Sequence, residues 1–180
     1  MTRYVAFLRG INVGGHTVKM DVLKKSFEAL GFENVTTFIA SGNVIFETGS
    51  KKADALETKI EKALEKDLGY EAATFLRTDA QVAKIAEYDP FDKEASKDGD
   101  TRYVIFLRAA PDAATRKRVL ALSNDDDVLQ LHGAELYWLR RGGLLDASIS
   151  TKQFEQALGK QPTTARNLNT VKRLAAKFQP

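Results

Sequence analysis

Apolar and polar positions change period several times along the chain, and each period predicts an element. Arg3 to Arg9 is a β-rich, aromatic-rich run, which predicts a strand covered on both faces. Met20, Leu23, Phe27 and Leu30 then recur at helical spacing with Gly31 behind them, predicting a helix over about 19–30. Val35 to Ala40 and Val44 to Glu47 are β-rich, and Ser41-Gly42-Asn43 between them tolerates turn geometry, predicting a hairpin. Leu56, Ile60, Ala63 and Leu64 mark a second amphipathic helix that ends at Gly69. Ala72 to Arg77 reads as a fourth strand, and Asp79 as the cap of a short third helix carrying Val82 and Ile85.

The second half runs through the same order. Thr101-Arg102-Tyr103-Val104-Ile105-Phe106-Leu107-Arg108 repeats Thr2-Arg3-Tyr4-Val5-Ala6-Phe7-Leu8-Arg9 ninety-nine residues later with seven of eight positions identical, the mark of a duplicated supersecondary unit. Ala109-Ala110-Pro111 leads into a helix with Asp112 at its start and Val119 and Leu122 on its apolar face. Val128 to Leu131 and Glu135 to Arg140 flank His132-Gly133, and Phe154 to Gly159 matches the helix end at Ala63 to Gly69. A short strand near 163–166 precedes a last helix whose apolar face is Leu168, Val171, Leu174, Ala175 and Phe178. Each half therefore reads strand, helix, strand, strand, helix, strand, then an appended helix. The expected fold class is α+β, two ferredoxin-like (split βαβ) repeats forming a duplicated pseudo-dimer. Residues 1–88 form the first repeat and 102–180 the second, with the charged segment 89–101, which holds Pro90 and Gly99, as linker.

Composition narrows the class further. A chain of 180 residues with 43% apolar content has ample material for a buried core. The absence of cysteine removes disulfides, thiol nucleophiles and thiolate metal sites. Two histidines, His16 and His132, are too few for a histidine-rich metal cluster, and neither metal nor cofactor is expected. No run approaches the roughly 18 apolar residues of a membrane span, and the N-terminus lacks a secretory pattern, so the expected location is the cytoplasm, with no membrane partner. Basic and acidic residues, 27 against 24, are interspersed, and the net charge of +3 implies only a weak preference for anions. Nucleic-acid binding is expected to be nonspecific and weak at most, on the order of 10⁻⁴ to 10⁻⁶ M.

The repeat also serves as an internal control for function. The second half passes from strand to helix through Ala109-Ala110-Pro111, whereas the first spends Gly10-Ile11-Asn12-Val13-Gly14-Gly15-His16-Thr17-Val18 on the same step. The fold does not require that length, and long loops in compact domains are disproportionately functional. Three glycines between a strand and a helix let backbone N–H groups approach a ligand, the ingredients of an anion cradle. The segment is neither a P-loop nor a dinucleotide fingerprint. The candidate ligand-binding residues are Arg9, Gly10, Asn12, Gly14, Gly15, His16 and Lys19, with Ser41 and Asn43 from the hairpin turn. Arg166, Asn167 and Asn169 join them, because two amides and the Thr170 hydroxyl crowd the start of the last helix beyond what one cap needs. The competing reading of the loop is structural, with Ile11 and Val13 plugging a core. His16 suits proton transfer near neutral pH or a hydrogen bond within the loop. One of Tyr137 and Trp138, which lie on opposite faces of a strand, is expected in the core, and Asp125-Asp126-Asp127 reads as a polar turn.

Four of these stretches together resemble a known family: Arg9 to His16, the Lys19-Met20 helix opening, Ser41-Gly42-Asn43-Val44-Ile45-Phe46, and Arg166-Asn167-Leu168-Asn169-Thr170-Val171. In combination they are similar to the bacterial domain of unknown function family numbered 1697, over Tyr4 to about Leu174. The resemblance implies a duplicated ferredoxin-like α+β fold and no particular activity. Leu168 stands where that family usually has Trp, so an aromatic stacking role does not carry over. Three function classes follow: a module that binds a phosphate-bearing small molecule or nucleic acid through loop 10–18, a small hydrolase of phosphorylated or acyl-phosphate substrates, and a structural or protein-interaction module. The hydrolase reading rests on analogy of fold alone.

Overall fold

The computed structural model describes residues 1–11, 15, 17–39, 42–91, 99–141 and 149–178. The chain is α+β, with two four-stranded antiparallel sheets, two similar halves and, among the described residues, six helices. It divides into two compact units, Met1–Ile85 with Leu174–Pro180, and Ala86–Arg173. No helix among the described residues is long and apolar enough to cross a membrane.

The first half runs β1 (Thr2–Leu8), α1 (Met20–Ala29), β2 (Glu33–Thr37), β3 (Asn43–Thr48), α2 (Ala53–Leu68), β4 (Thr74–Thr78) and α3 (Asp79–Glu87), with strand order β2-β3-β1-β4. β1 lies centrally because both its faces are apolar. Tyr4, Ala6 and Leu8 belong to a core with Leu23 and Phe27 of α1 and Leu56, Ile60 and Leu64 of α2, while Val5 and Phe7 on the other face are also fully buried. Phe27, Phe32 and Phe46 meet as an aromatic cluster, with Phe32 and Phe46 stacked at 4.4 Å between centroids. α2 stops at Gly69, whose φ of +80° is costly for any residue with a Cβ and whose N–H donates to the Glu65 carbonyl.

The second half runs β5 (Thr101–Phe106), α4 (Ala113–Leu120), β6 (Asp127–His132), β7 (Glu135–Arg140), α5 (Thr151–Ala157), β8 (Thr164–Asn167) and α6 (Leu168–Ala176), with the matching order β6-β7-β5-β8. Its core sets Ile105, Leu107, Leu129, Leu131 and Leu136 against Val119, Phe154 and Leu158. Asp112 caps α4 by accepting from the Thr115 N–H at 2.7 Å, which holds its carboxyl below the usual range. Ser150 and Gln153 form a reciprocal capping box at the start of α5, whose last turn falls within the Phe154 to Gly159 stretch expected to be a helix end. The outer edge of β6 is filled from within its own half. Leu129 N–H donates to Ser123 Oγ at 3.0 Å, the Leu131 carbonyl accepts from Arg116 at 3.1 Å, and Asn124 bonds both backbone groups of Asp127 at 2.9 Å. An edge so occupied is a poor template for a further strand.

Three expectations are corrected. Asp127 is the first residue of β6 rather than part of a polar turn. Register sets it opposite Arg140, and the two fully buried side chains form an ion pair at 2.7 Å, with Trp138 Nε1 donating to the same carboxylate oxygen at 2.8 Å. Tyr137 and Trp138 are both buried, not one of the two. Finally, α3 is capped by Thr78 rather than Asp79: Thr78 Oγ1 accepts from Gln81 N–H at 3.2 Å, and Gln81 Oε1 accepts from Thr78 N–H at 2.8 Å.

Candidate functional site

The long loop of the first half is pinned at both ends. Arg9 N–H donates to the Ala73 carbonyl at 2.9 Å, and the Gly10 carbonyl accepts from the Tyr70 hydroxyl at 3.4 Å. Ile11, 2% exposed, and Val18 are members of the first core, so the structural reading holds for these two side chains. Gly42 makes the fit tight: at its φ of +84° a Cβ would lie 2.9 Å from Ile11 Cβ and Cγ1 and 3.2 Å from Leu8 Cβ. Asn43 is fully buried and closes the hairpin, its Nδ2 donating to the Phe38 carbonyl and its carbonyl accepting from Phe38 N–H, both at 2.9 Å. Gly15 and Lys19 are exposed, and Lys19 occupies the N-cap position of α1 without a side-chain cap bond. Asn12, Val13, Gly14, His16 and Ser41 lie outside the described residues.

The second group of candidates lies in the other half. Arg166 is 8% exposed, and its Nη1 donates to Thr164 Oγ1 at 2.7 Å and to the Ala165 carbonyl at 2.9 Å; burial pushes its pKa down to about 10. Asn167 caps α6, its Oδ1 accepting from Asn169 N–H at 2.9 Å. Asn167 and Asn169 line a surface cavity of about 190 Å³ with Asp100, Thr101, Arg102, Leu168 and Lys172; Arg166 is not part of the lining. Arg102 reaches the cavity from β5. Its Nε is buried without a hydrogen-bond partner among the described residues, and its ion-pair contact with Asp89 Oδ1 is 3.6 Å long. That separation is beyond hydrogen-bond range.

A family model described as a protein of unknown function (DUF1697) matches residues 1–137. The chain belongs to this family. The Arg166 to Val171 motif lies beyond the matched residues. The solved structure of conserved bacterial protein SP0830 from Streptococcus pneumoniae is similar over 100% of this chain and 99% of that one, at 21% identity and a TM-score of 0.73. This likeness shows the fold. No curated protein matches.

Comparing the two halves of this DUF1697 chain by strand register shows how the surroundings of the equivalent arginines Arg3 and Arg102 differ. Arg3 pairs with Glu47 and Arg102 with Leu139, while Tyr4 pairs with Thr78 and Tyr103 with Asn167. Thr78 and Asn167 are thus equivalent caps, and Asp79, Ala80 and Ala83 correspond to Leu168, Asn169 and Lys172. Arg3 is met by two carboxylates, Glu47 at 3.3 Å and Asp79 at 4.0 Å, and lies over the Phe178 ring. Both carboxylates are leucines in the second half, Leu139 and Leu168, and a lysine and an amide are added beside the arginine. Asp100, Thr101, Arg102 and Lys172 escape a reading of local motifs, because the signal is a difference between registered repeats.

Proposed function

We propose that this protein is a binding module for a small anion, held in the cavity between the start of β5 and the first turn of α6. The replacement of both Arg3 carboxylates by Leu139 and Leu168 carries this reading, since among the described residues it leaves the Arg102 guanidinium with one long ion-pair contact, beside Lys172 and Asn169. Arginine suits this place: its planar fork matches the paired oxygens of phosphate or carboxylate. The lining offers an anion the cations Arg102 and Lys172 and the amides Asn167 and Asn169, beside Asp100, Thr101 and Leu168. The reading moves the expected anion contact from loop 10–18, whose ends Ile11 and Val18 belong to a core, to the second group of candidates.

Each half is, in this reading, a ferredoxin-like repeat, and the chain a duplicated pseudo-dimer with repeat boundaries at 1–88 and 102–180 and a connecting segment at 89–101. The common strand order, the shared register and the equivalent caps at Thr78 and Asn167 support it. Calorimetric titration with inorganic phosphate tests the site. Arg102→Gln should weaken binding by at least about tenfold, the scale of charge-assisted hydrogen bonds. The exposed Lys172→Gln should weaken it by about two- to fivefold, as expected for a solvated charge. Unchanged binding in both folded variants would place any phosphate elsewhere.

A further inference from the structure

The registered arginines also indicate which class of anion the second half takes, an inference that rests on the binding reading above. In the first half the chain itself supplies the anions. Glu47 Oε1 accepts from Arg3 Nε at 3.3 Å, Glu47 Oε2 accepts from Asn34 Nδ2 at 2.9 Å, and Asp79 Oδ2 lies 4.0 Å from Arg3 Nη1. One carboxylate thus takes an asparagine donor on one oxygen and an arginine donor on the other, and these bonds, that of Asn34 foremost, hold the Glu47 carboxyl below its usual range. The Arg3 position therefore accommodates two carboxylates, each with a single charge.

Among the described residues Arg102 meets one carboxylate, Asp89 at 3.6 Å, which is held in its own turn by the Phe91 N–H donating to Oδ1 at 3.0 Å. Arg102 is one carboxylate short of its counterpart, and its Nε is buried without a hydrogen-bond partner among those residues. The cavity lining pairs an arginine with an asparagine again, Arg102 with Asn169, and adds Lys172. Because Asn167 Oδ1 already accepts from the Asn169 N–H, recognition falls to side chains rather than to the helix end. Charge then separates the candidate anions. Asp89 offsets one of the two cations, so the second charge of a phosphate dianion meets repulsion without a further cation to oppose it.

We infer that the anion at Arg102 is a small carboxylate rather than a phosphate, its two oxygens shared between Arg102 and Asn169 as those of Glu47 are shared between Arg3 and Asn34, with Lys172 balancing its charge.

The test compares propionate with ethyl phosphate, which share an ethyl group, by ¹H–¹⁵N titration of the full chain at about pH 8, well above the second phosphate pKa of about 6. Propionate should bind the parent tighter by about threefold or more, since like charge penalises only the dianion. Leu168→Asp restores the carboxylate that Asp79 provides at the equivalent place, and Leu168→Asn is its uncharged control. Propionate should bind Leu168→Asp about tenfold more weakly than Leu168→Asn, the scale of a charge-assisted hydrogen bond taken over by the chain's own carboxylate. Equal or tighter binding of ethyl phosphate by the parent, or equal binding of propionate by the two folded variants, overturns the inference while leaving the anion site standing. If the variants fail to fold, the comparison on the parent decides alone. If neither ligand nor inorganic phosphate binds the parent, the anion reading falls and the inference with it.

Discussion

Removing the Ile11 side chain tests whether the long first-half loop is held by the core, and the expected cost can be worked from the packing. Ile11→Ala deletes three carbons from a side chain that is 2% exposed and belongs to the first core. At about 0.8 kcal/mol per buried carbon the transfer contribution is about 2.4 kcal/mol, and incomplete collapse of the cavity brings the total to about 3 kcal/mol, within the usual 2–5 kcal/mol. In a chain of 150–250 residues each kcal/mol lowers the melting temperature by about 2–4 °C, so a fall of roughly 6–12 °C is expected. Gly42 supplies the control. Gly42→Ala sets a methyl 2.9 Å from Ile11 Cβ and Cγ1, and its φ of +84° is unfavourable for any residue with a Cβ. In the Ile11→Ala background the contact with Cγ1 disappears while the backbone penalty stays, so Gly42→Ala should cost about 1 kcal/mol less there than in the parent, the coupling expected of touching residues. Urea unfolding of the four proteins of this cycle measures it. An Ile11→Ala cost under about 1 kcal/mol, or strictly additive effects, would refute the packing and return the whole of loop 10–18 to candidacy as a ligand cradle.

Asp127→Ala should destabilise the second half by about 3–5 kcal/mol in urea unfolding, because it strips the carboxylate from the buried Arg140 guanidinium and from Trp138 Nε1. Asn167→Ala should cost about 1 kcal/mol through loss of the α6 cap, and phosphate affinity measured alongside should fall less than for Arg102→Gln. Asp112→Ala should be destabilising at pH 7 in thermal unfolding. Since the folded carboxyl is held below its ordinary value of 3.8 by the Thr115 backbone and side chain, the difference from the parent should shrink as the pH falls below that value, and a difference that grows in acid would contradict the cap.

Much of the fold was legible because local signals agreed with one another. The octapeptide at Thr2 and its repeat at Thr101 foretold two sheets of one order, Glu135 to Arg140 matches β7, and Gly69 ends α2 as its position in the pattern implied. A run of three aspartates looks solvated when taken alone, and only cross-strand register sets Asp127 against Arg140. Aspartate is a common helix cap, which favours Asp79 in the sequence, whereas the Thr78-x-x-Gln81 box that forms the cap lies one residue earlier. The candidate site was half visible. Asn167 and Asn169 stood out as surplus polarity, but Arg102 was hidden inside a strand whose first-half copy, Arg3, is neutralised by residues distant in sequence.

The most direct measurement of the anion site is the Arg102 Nε–H resonance in ¹H–¹⁵N spectra during titration with inorganic phosphate. A buried Nε–H without a hydrogen-bond partner among the described residues should shift downfield and become protected from exchange when a phosphate oxygen accepts from it. The change should saturate with the same affinity that calorimetry gives and should weaken in Lys172→Gln. An Arg102 resonance that stays in place while phosphate saturates the protein would contradict the central claim.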